Sequence, residues 1–287
     1  MRRRIKLNPQ DAVGYFQCGQ AHFNLTYLHG ARGNYYRAGT NGSDAIEFLE
    51  KALDLDPQLT DAKLHLGAAY YFADNLPPFV RAFSRLLWFI PQGNSEKSLP
   101  YLAEVTGSGD LYRDVASYLY AWVLLRGDDV SRHKAGEILA SLVQRFPQSR
   151  RFQMRYLSYL VATGEYPTAV LSAQRFMDEC PGCTRDPVDV DLARLWQARA
   201  LLAQADTVNA VEVVDRIEHT QSFPSWAQGW HSLTLAQLKD IIPDRASATR
   251  MYQRVLDLRK TGEISEELES LALDGLARPF TTNAVTQ

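Results

Sequence analysis

Apolar residues recur along this chain at helical spacing, in runs broken by proline- and glycine-bearing turns. The stretch from Asp44 to Asn75 sets the pattern: a periodic run holding Ala45, Leu49 and Ala52, a turn at Pro57, then a second run holding Leu64, Leu66, Gly67 and Tyr70. The same alternation continues to the C-terminus. No stretch alternates apolar and polar residues with β-branched enrichment for long enough to form a strand. The expectation is an all-α protein.

Six helical hairpins can be laid along the chain. The first opens at Asp11, a good N-cap, and its second helix holds Ala45 and Leu49. The second opens at Leu64 and resumes at SEKSLPYLAEV, where Pro100 implies a helix start near Ser98 or a kink. The third pairs DVASYLYAWVLLRGDD with a run holding Ala135, Leu139 and Leu142 and closing at Pro147. The fourth turns at Gly164, Tyr166 and Ala169; the fifth places Ala198 and Ala210 at close approach; the sixth turns at Pro243. A final helix over about 265–278, capped by Ser265, would cover the exposed apolar end that such an array leaves.

Two segments exceed the pattern. About 24–43 (FNLTYLHGARGNYYRAGTNG and its flanks) is read as an extension of the first helix followed by a loop. About 76–94 holds a proline-bracketed amphipathic helix, with Phe79, Phe83, Leu86, Leu87 and Ile90 on one face and Trp88 and Phe89 beside it.

The cadence of Ala45, Leu49, Ala52 and Pro57 followed by Leu66-Gly67-x-x-Tyr70 resembles the tetratricopeptide repeat (TPR). In that pattern small residues sit where helices approach closely and large ones fill the gaps between them. The resemblance implies a single α-solenoid over 1–287 that acts as a non-catalytic scaffold for a protein or peptide partner. It further implies binding along the inward face made by the first helix of each hairpin. Carried over, that face includes Phe16, Gln20 and Phe23; Leu64, Ala68 and Tyr71; Ser117, Ala121 and Leu124; Met154, Ser158 and Val161; and Leu195, Arg199 and Leu202. Of these, Phe16, Gln20, Phe23, Leu64, Tyr71, Met154 and Arg199 are the partner-binding candidates, with Trp88 and Phe89 of the inserted helix. Some TPR domains clamp a chaperone's C-terminal carboxylate with Lys and Asn; Phe16, Gln20 and Leu64 stand at those slots here, which argues against that role.

Composition narrows the alternatives. Hydrophobic residues make up 46% of the chain, as in a folded protein, and a net charge of -2 gives no reason to expect a nucleic-acid partner. No run of eighteen apolar residues spans a bilayer. MRRRIK lacks the apolar region of a signal peptide, so the chain as written reads as cytoplasmic; a periplasmic or exported location would follow if an upstream signal peptide were missing. Cys180-Pro181-Gly182-Cys183 follows a helix rather than a strand, unlike a redox pair, and no second ligand pair completes a metal site; a structural disulfide would need export. Asp186, Asp189 and Asp191 are read as caps of the following helix rather than calcium ligands. The six histidines show no ligand spacing, and the arginines 145, 150, 151 and 155 read as a solvated face. No catalytic, cofactor or metal residue is proposed. An enzyme built on helical hairpins, and a membrane-surface adaptor using the 76–91 helix, stand as the alternatives.

Overall fold

The structure, a computed structural model, describes residues 2–75, 94–178, 186–259 and 264–282. Among them are fourteen α-helices, one 3-10 turn and no strand. The backbone separates into two compact units, Met1–Leu142 and Val143–Gln287.

In the first unit, a short helix α1 (Arg2–Leu7) leads into three hairpins: α2 (Ala12–Ala31) with α3 (Tyr35–Leu55), α4 (Thr60–Asp74) with α5 (Ser95–Ser108), and α6 (Arg113–Leu124) with α7 (Asp129–Arg145). The unit boundary falls inside α7. The second unit pairs α8 (Arg150–Ala162) with α9 (Tyr166–Asp178), α10 (Pro187–Ala203) with α11 (Thr207–Asp215), and α12 (Ser225–Ile241) with α13 (Arg245–Arg259). It closes with α14 (Glu266–Ala277).

The small residues sit where the cadence puts them. A Cβ on Gly67 would lie 3.1 Å from the Ser98 carbonyl oxygen and 3.2 Å from Leu102 Cγ, so α4 and α5 touch through bare backbone. The Ser98 hydroxyl donates to the Gly67 carbonyl at 2.9 Å across that contact. Gly19 plays the same part between α2 and α3, where a Cβ would meet Leu49 Cγ at 2.6 Å. Around these contacts Phe16, Leu49, Ala52, Ala62, Leu66 and Tyr70 form one core cluster of the first unit.

The segment 24–43 departs from the expected loop. α2 runs on to Ala31 and α3 begins at Tyr35, so the extra residues lengthen both helices and only three form the turn. The reason is local. Gly33 takes φ +71, a conformation cheap only for glycine, and the Asn34 N–H closes back on the His29 carbonyl at 2.8 Å. Pro100 neither starts α5 nor ends it. Asn94 caps the helix through the Lys97 N–H at 3.2 Å, and Pro100 lies in the second turn, exposed, so the missing N–H falls on the solvent side.

The final helix of the second unit is a true cap. Ser265 accepts from the Leu268 N–H at 3.2 Å, and Glu266, Glu267 and Glu269 complement the helix dipole in the first turn. Leu268 packs against Gly229 of α12, and Gly275 lies against the Tyr252 ring of α13, where a Cβ would come within 2.2 Å. The buried carboxylate of Asp240 ties the end together. It accepts from Arg245 at 3.0 and 3.1 Å, from the Tyr252 hydroxyl at 2.9 Å and from the Phe280 N–H at 2.8 Å, while Arg245 also donates to the Leu276 carbonyl at 2.8 Å.

Candidate functional site: the first-helix faces

In the first unit the first-helix face is aromatic. His65 of α4 is buried in a box of ring edges: Phe16 at 5.7 Å, Phe23 at 5.4 Å and Tyr112 at 5.2 Å between centroids. Gln20 of α2 spans the same box, hydrogen-bonding the Tyr112 hydroxyl and lying 3.4 Å from His65 Nε2. Burial holds the His65 pKa below its ordinary value, so the ring is neutral near neutral pH. Towards the C-terminal ends of α4 and α6, Tyr71 meets Trp122 edge-on at 5.6 Å, Phe72 meets it at 5.9 Å, and the Arg126 guanidinium lies 3.6 Å above the indole. Phe72 is 45% exposed.

In the second unit, α8 and α10 end alike. Gly164 has φ +81 and Ala205 has φ +62, each followed by an N–H that closes on a carbonyl within the last turn, Glu165 to Leu160 and Asp206 to Leu201. These turn residues align the two helices, placing Arg155 in the same register as Trp196 and Ser158 in the same register as Arg199. Trp196 stacks on Trp226 of α12 at 6.3 Å and leans on Trp230 at 6.1 Å. The Arg199 guanidinium lies 3.9 Å from the centroid of Trp230, and its Nη1 is 3.4 Å from the Thr234 hydroxyl. Burial pulls the Arg199 pKa down to about 10, against the opposing pull of Glu267.

The sequence-derived candidates divide by burial. Phe16, Leu64 and Met154 are each less than a tenth exposed, so they shape the face from beneath. Gln20, Phe23, Tyr71 and Arg199 are partly open. Trp88 and Phe89 lie outside the described residues, as do Cys180 and Cys183. The sequence reading passed over Trp226 and Trp230. Trp226 and Trp230 carried a usable signal, since two tryptophans four residues apart share a helix face.

Two acidic residues have roles other than those expected. Asp186 does cap α10, accepting from the Val188 N–H at 2.9 Å, and Asp189 pairs with Arg150 at 3.1 Å. Asp191 instead reaches forward to the approach to α12, accepting from the N–H groups of Glu218 and His219. Arg150 is ion-paired yet 59% exposed, as a solvated face requires, whereas Arg155 departs from that reading, with its Nε buried.

Two open, shallow cavities lie beside α1, one of them lined by Ile5, Lys6, Asp44, Glu47 and Phe48. Among the described residues no group of three or more His, Cys, Asp and Glu converges as a metal ion would require, and no helix is long and apolar enough to cross a membrane.

No protein-family model matches the chain, and no curated protein matches it in sequence. Among solved structures it is similar to that of PilF from Pseudomonas aeruginosa, reported under the functional characterization of that protein. The match has a TM-score of 0.53 at 16% identity and covers 91% of this chain and 99% of that one. At this identity the likeness is one of fold, a TPR-like array of helical hairpins.

Proposed function

We propose that this protein is a non-catalytic scaffold that holds a partner polypeptide on its first-helix faces. The observation that carries the reading is the set of part-exposed aromatic side chains on those faces: Tyr71, Phe72 and Trp122 in the first unit, Trp226 and Trp230 in the second. Rings held by edge and stacking contacts give contact area with little ordering cost, which is the chemistry of binding anchors. The TPR-like fold favours the same conclusion.

The test is affinity capture from the native organism by the immobilised chain, repeated with Phe72→Ala and with Trp226→Ala. Both residues are at least 39% exposed, so both variants should melt close to the parent. The expected result is a bound polypeptide that one or both variants lose. Capture of the same set by parent and both variants would overturn the reading.

A further inference from the structure

The first-helix face of the second unit has hydrogen-bond donors with no acceptors. Among the described residues, five side-chain polar atoms are shielded from solvent and make no hydrogen bond by strict geometry. Three of them are N–H donors on α8 and α10: Arg155 Nε, Trp196 Nε1 and Arg199 Nε. Arg155 and Trp196 share a register position on the two helices, and Arg199 lies one turn on from Trp196. Trp196 and Arg199 both contact Trp230. A buried donor without an acceptor is destabilising, and a buried cation more so.

The carboxylates of these helices are committed elsewhere. Asp189 is paired with Arg150, Asp191 holds Arg194 and the backbone before α12, and Asp240 holds Arg245, Tyr252 and Phe280. Glu267 of α14 acts on Arg199 through its field but forms no ion pair with it. Neither Arg155 nor Arg199 has an ion-pair partner among the described residues. What the face lacks is an acceptor bearing negative charge. What it offers beside the cations is indole surface, with Trp226 39% exposed and Trp230 half-buried.

Resting on the scaffold reading, we propose that this face receives an acidic linear peptide segment of the partner. Its carboxylates meet Arg155 and Arg199, and its apolar side chains lie on Trp226 and Trp230. Arginine suits the role because its planar fork presents Nε and Nη to one carboxylate while the ring beneath holds it flat. Two cations are enough to select an acidic peptide. They are few for a nucleic acid, whose recognition rests on a stripe of phosphate contacts.

The test uses the full chain and a labelled, end-capped peptide of alternating glutamate and leucine, followed by fluorescence anisotropy. A glutamine-for-glutamate peptide and an oligothymidylate serve as comparisons. Saturable binding of the acidic peptide, at least about tenfold tighter than the glutamine peptide, is expected, since hydrogen bonds to charged groups are the stronger class. Arg199→Gln should weaken it about tenfold, and Arg199→Lys should restore only part because the fork is lost. Trp196→Phe keeps one aromatic ring but removes the N–H with the rest of the indole, and should weaken binding several-fold. Arg132→Gln, in the first unit, should leave binding unchanged. Equal binding of the acidic and glutamine peptides, no binding of either, preference for the oligothymidylate, or full binding by Arg199→Gln would each overturn the proposal. Partner capture that is lost with Phe72→Ala yet indifferent to Arg199→Gln would leave the scaffold standing and remove only this inference.

Discussion

The carboxylate of Asp191 accepts the backbone N–H of His219 at 2.8 Å, and the His219 ring Nδ1 lies 2.9 Å from the same oxygen. In the first unit Asp61 does the equivalent, accepting from the N–H groups of Asp110, Leu111 and Tyr112 at 3.2, 3.0 and 3.4 Å. In both units an acidic residue near the start of one hairpin's first helix grips the backbone that leads into the next hairpin's first helix. The grip fixes the angle at which the chain re-enters the array, and with it the spacing of the first-helix faces.

Asp191 should therefore make stability depend on acid. Burial alone would raise its pKa, but the His219 and Glu218 N–H groups, the His219 ring and Arg194 outweigh burial and hold it below the ordinary carboxylate value. A carboxyl with a depressed folded-state pKa stabilises the fold above its unfolded value and loses that contribution as pH falls through the folded one. Urea midpoints measured from pH 7 down to acid should fall more steeply for the parent than for Asp191→Asn, whose midpoint should be lower at pH 7 and flatter below about pH 4. Parallel curves would show that the grip carries no charge-dependent stability.

Gly67→Leu should destabilise the first unit by about 1–3 kcal/mol despite leucine's better helix propensity. The side chain would enter the 3.1–3.3 Å space bounded by the Ser98 carbonyl, Leu102 and the Tyr101 Cβ, none of which is a free chain end. Chemical denaturation followed by circular dichroism reads the change. An unaltered midpoint would mean α4 and α5 do not pack through this position.

Ala205 offers a change in the opposite direction. It is the described non-glycine residue with positive φ, at 62°, in a turn where α8 uses Gly164. Ala205→Gly should stabilise by about 0.5–1 kcal/mol by relieving the left-handed strain, and Gly164→Ala should destabilise by a similar amount. Thermal unfolding of the pair, run side by side, checks both signs.

Gly275→Ala should loosen the cap. The added methyl would meet the Tyr252 ring, which cannot swing aside without breaking its hydroxyl bond to Asp240. A cost of about 1–3 kcal/mol is expected from overpacking. Tyr252→Phe frees the ring but gives up its hydrogen bond to Asp240, so the double variant should lose less than the sum of the two single losses. Additive losses would show that the hydroxyl does not restrain the ring.

The hairpins were legible because close approach leaves a mark that sequence preserves. Gly67, Ala45 and Ala52 are small where a neighbour's backbone or core side chain arrives, and Pro57, Pro147 and Pro243 stand where helices end. The extension of α2 was legible, but the loop expected after it is mostly helix, because FNLTYLHGARGNYYRAGTNG is rich in turn-forming residues. Only Gly33 takes a turn conformation; Gly39 and Gly42 are carried inside α3. Asp191 was legible as a backbone N–H acceptor but not as one that holds the chain before the next hairpin, since local preference is the same in both cases and only tertiary placement separates them. Arg155 presented the same difficulty, since a cation on a helix reads as solvated until the packing around it is known.

The Asp240 clasp changes how the end of the array comes apart. Helical arrays ordinarily fray from their ends, because a terminal element touches one neighbour and can leave alone. Here α12, α13 and the Phe280 segment share a single carboxylate, and Arg245 ties α14 to it through the Leu276 carbonyl, so the tail cannot lift without uncovering a buried charge beneath it. Releasing the last helix then exposes the charge that holds the previous pair. The amides of α13 and α14 should accordingly exchange their hydrogens with one shared opening free energy, where a fraying end would show a gradient.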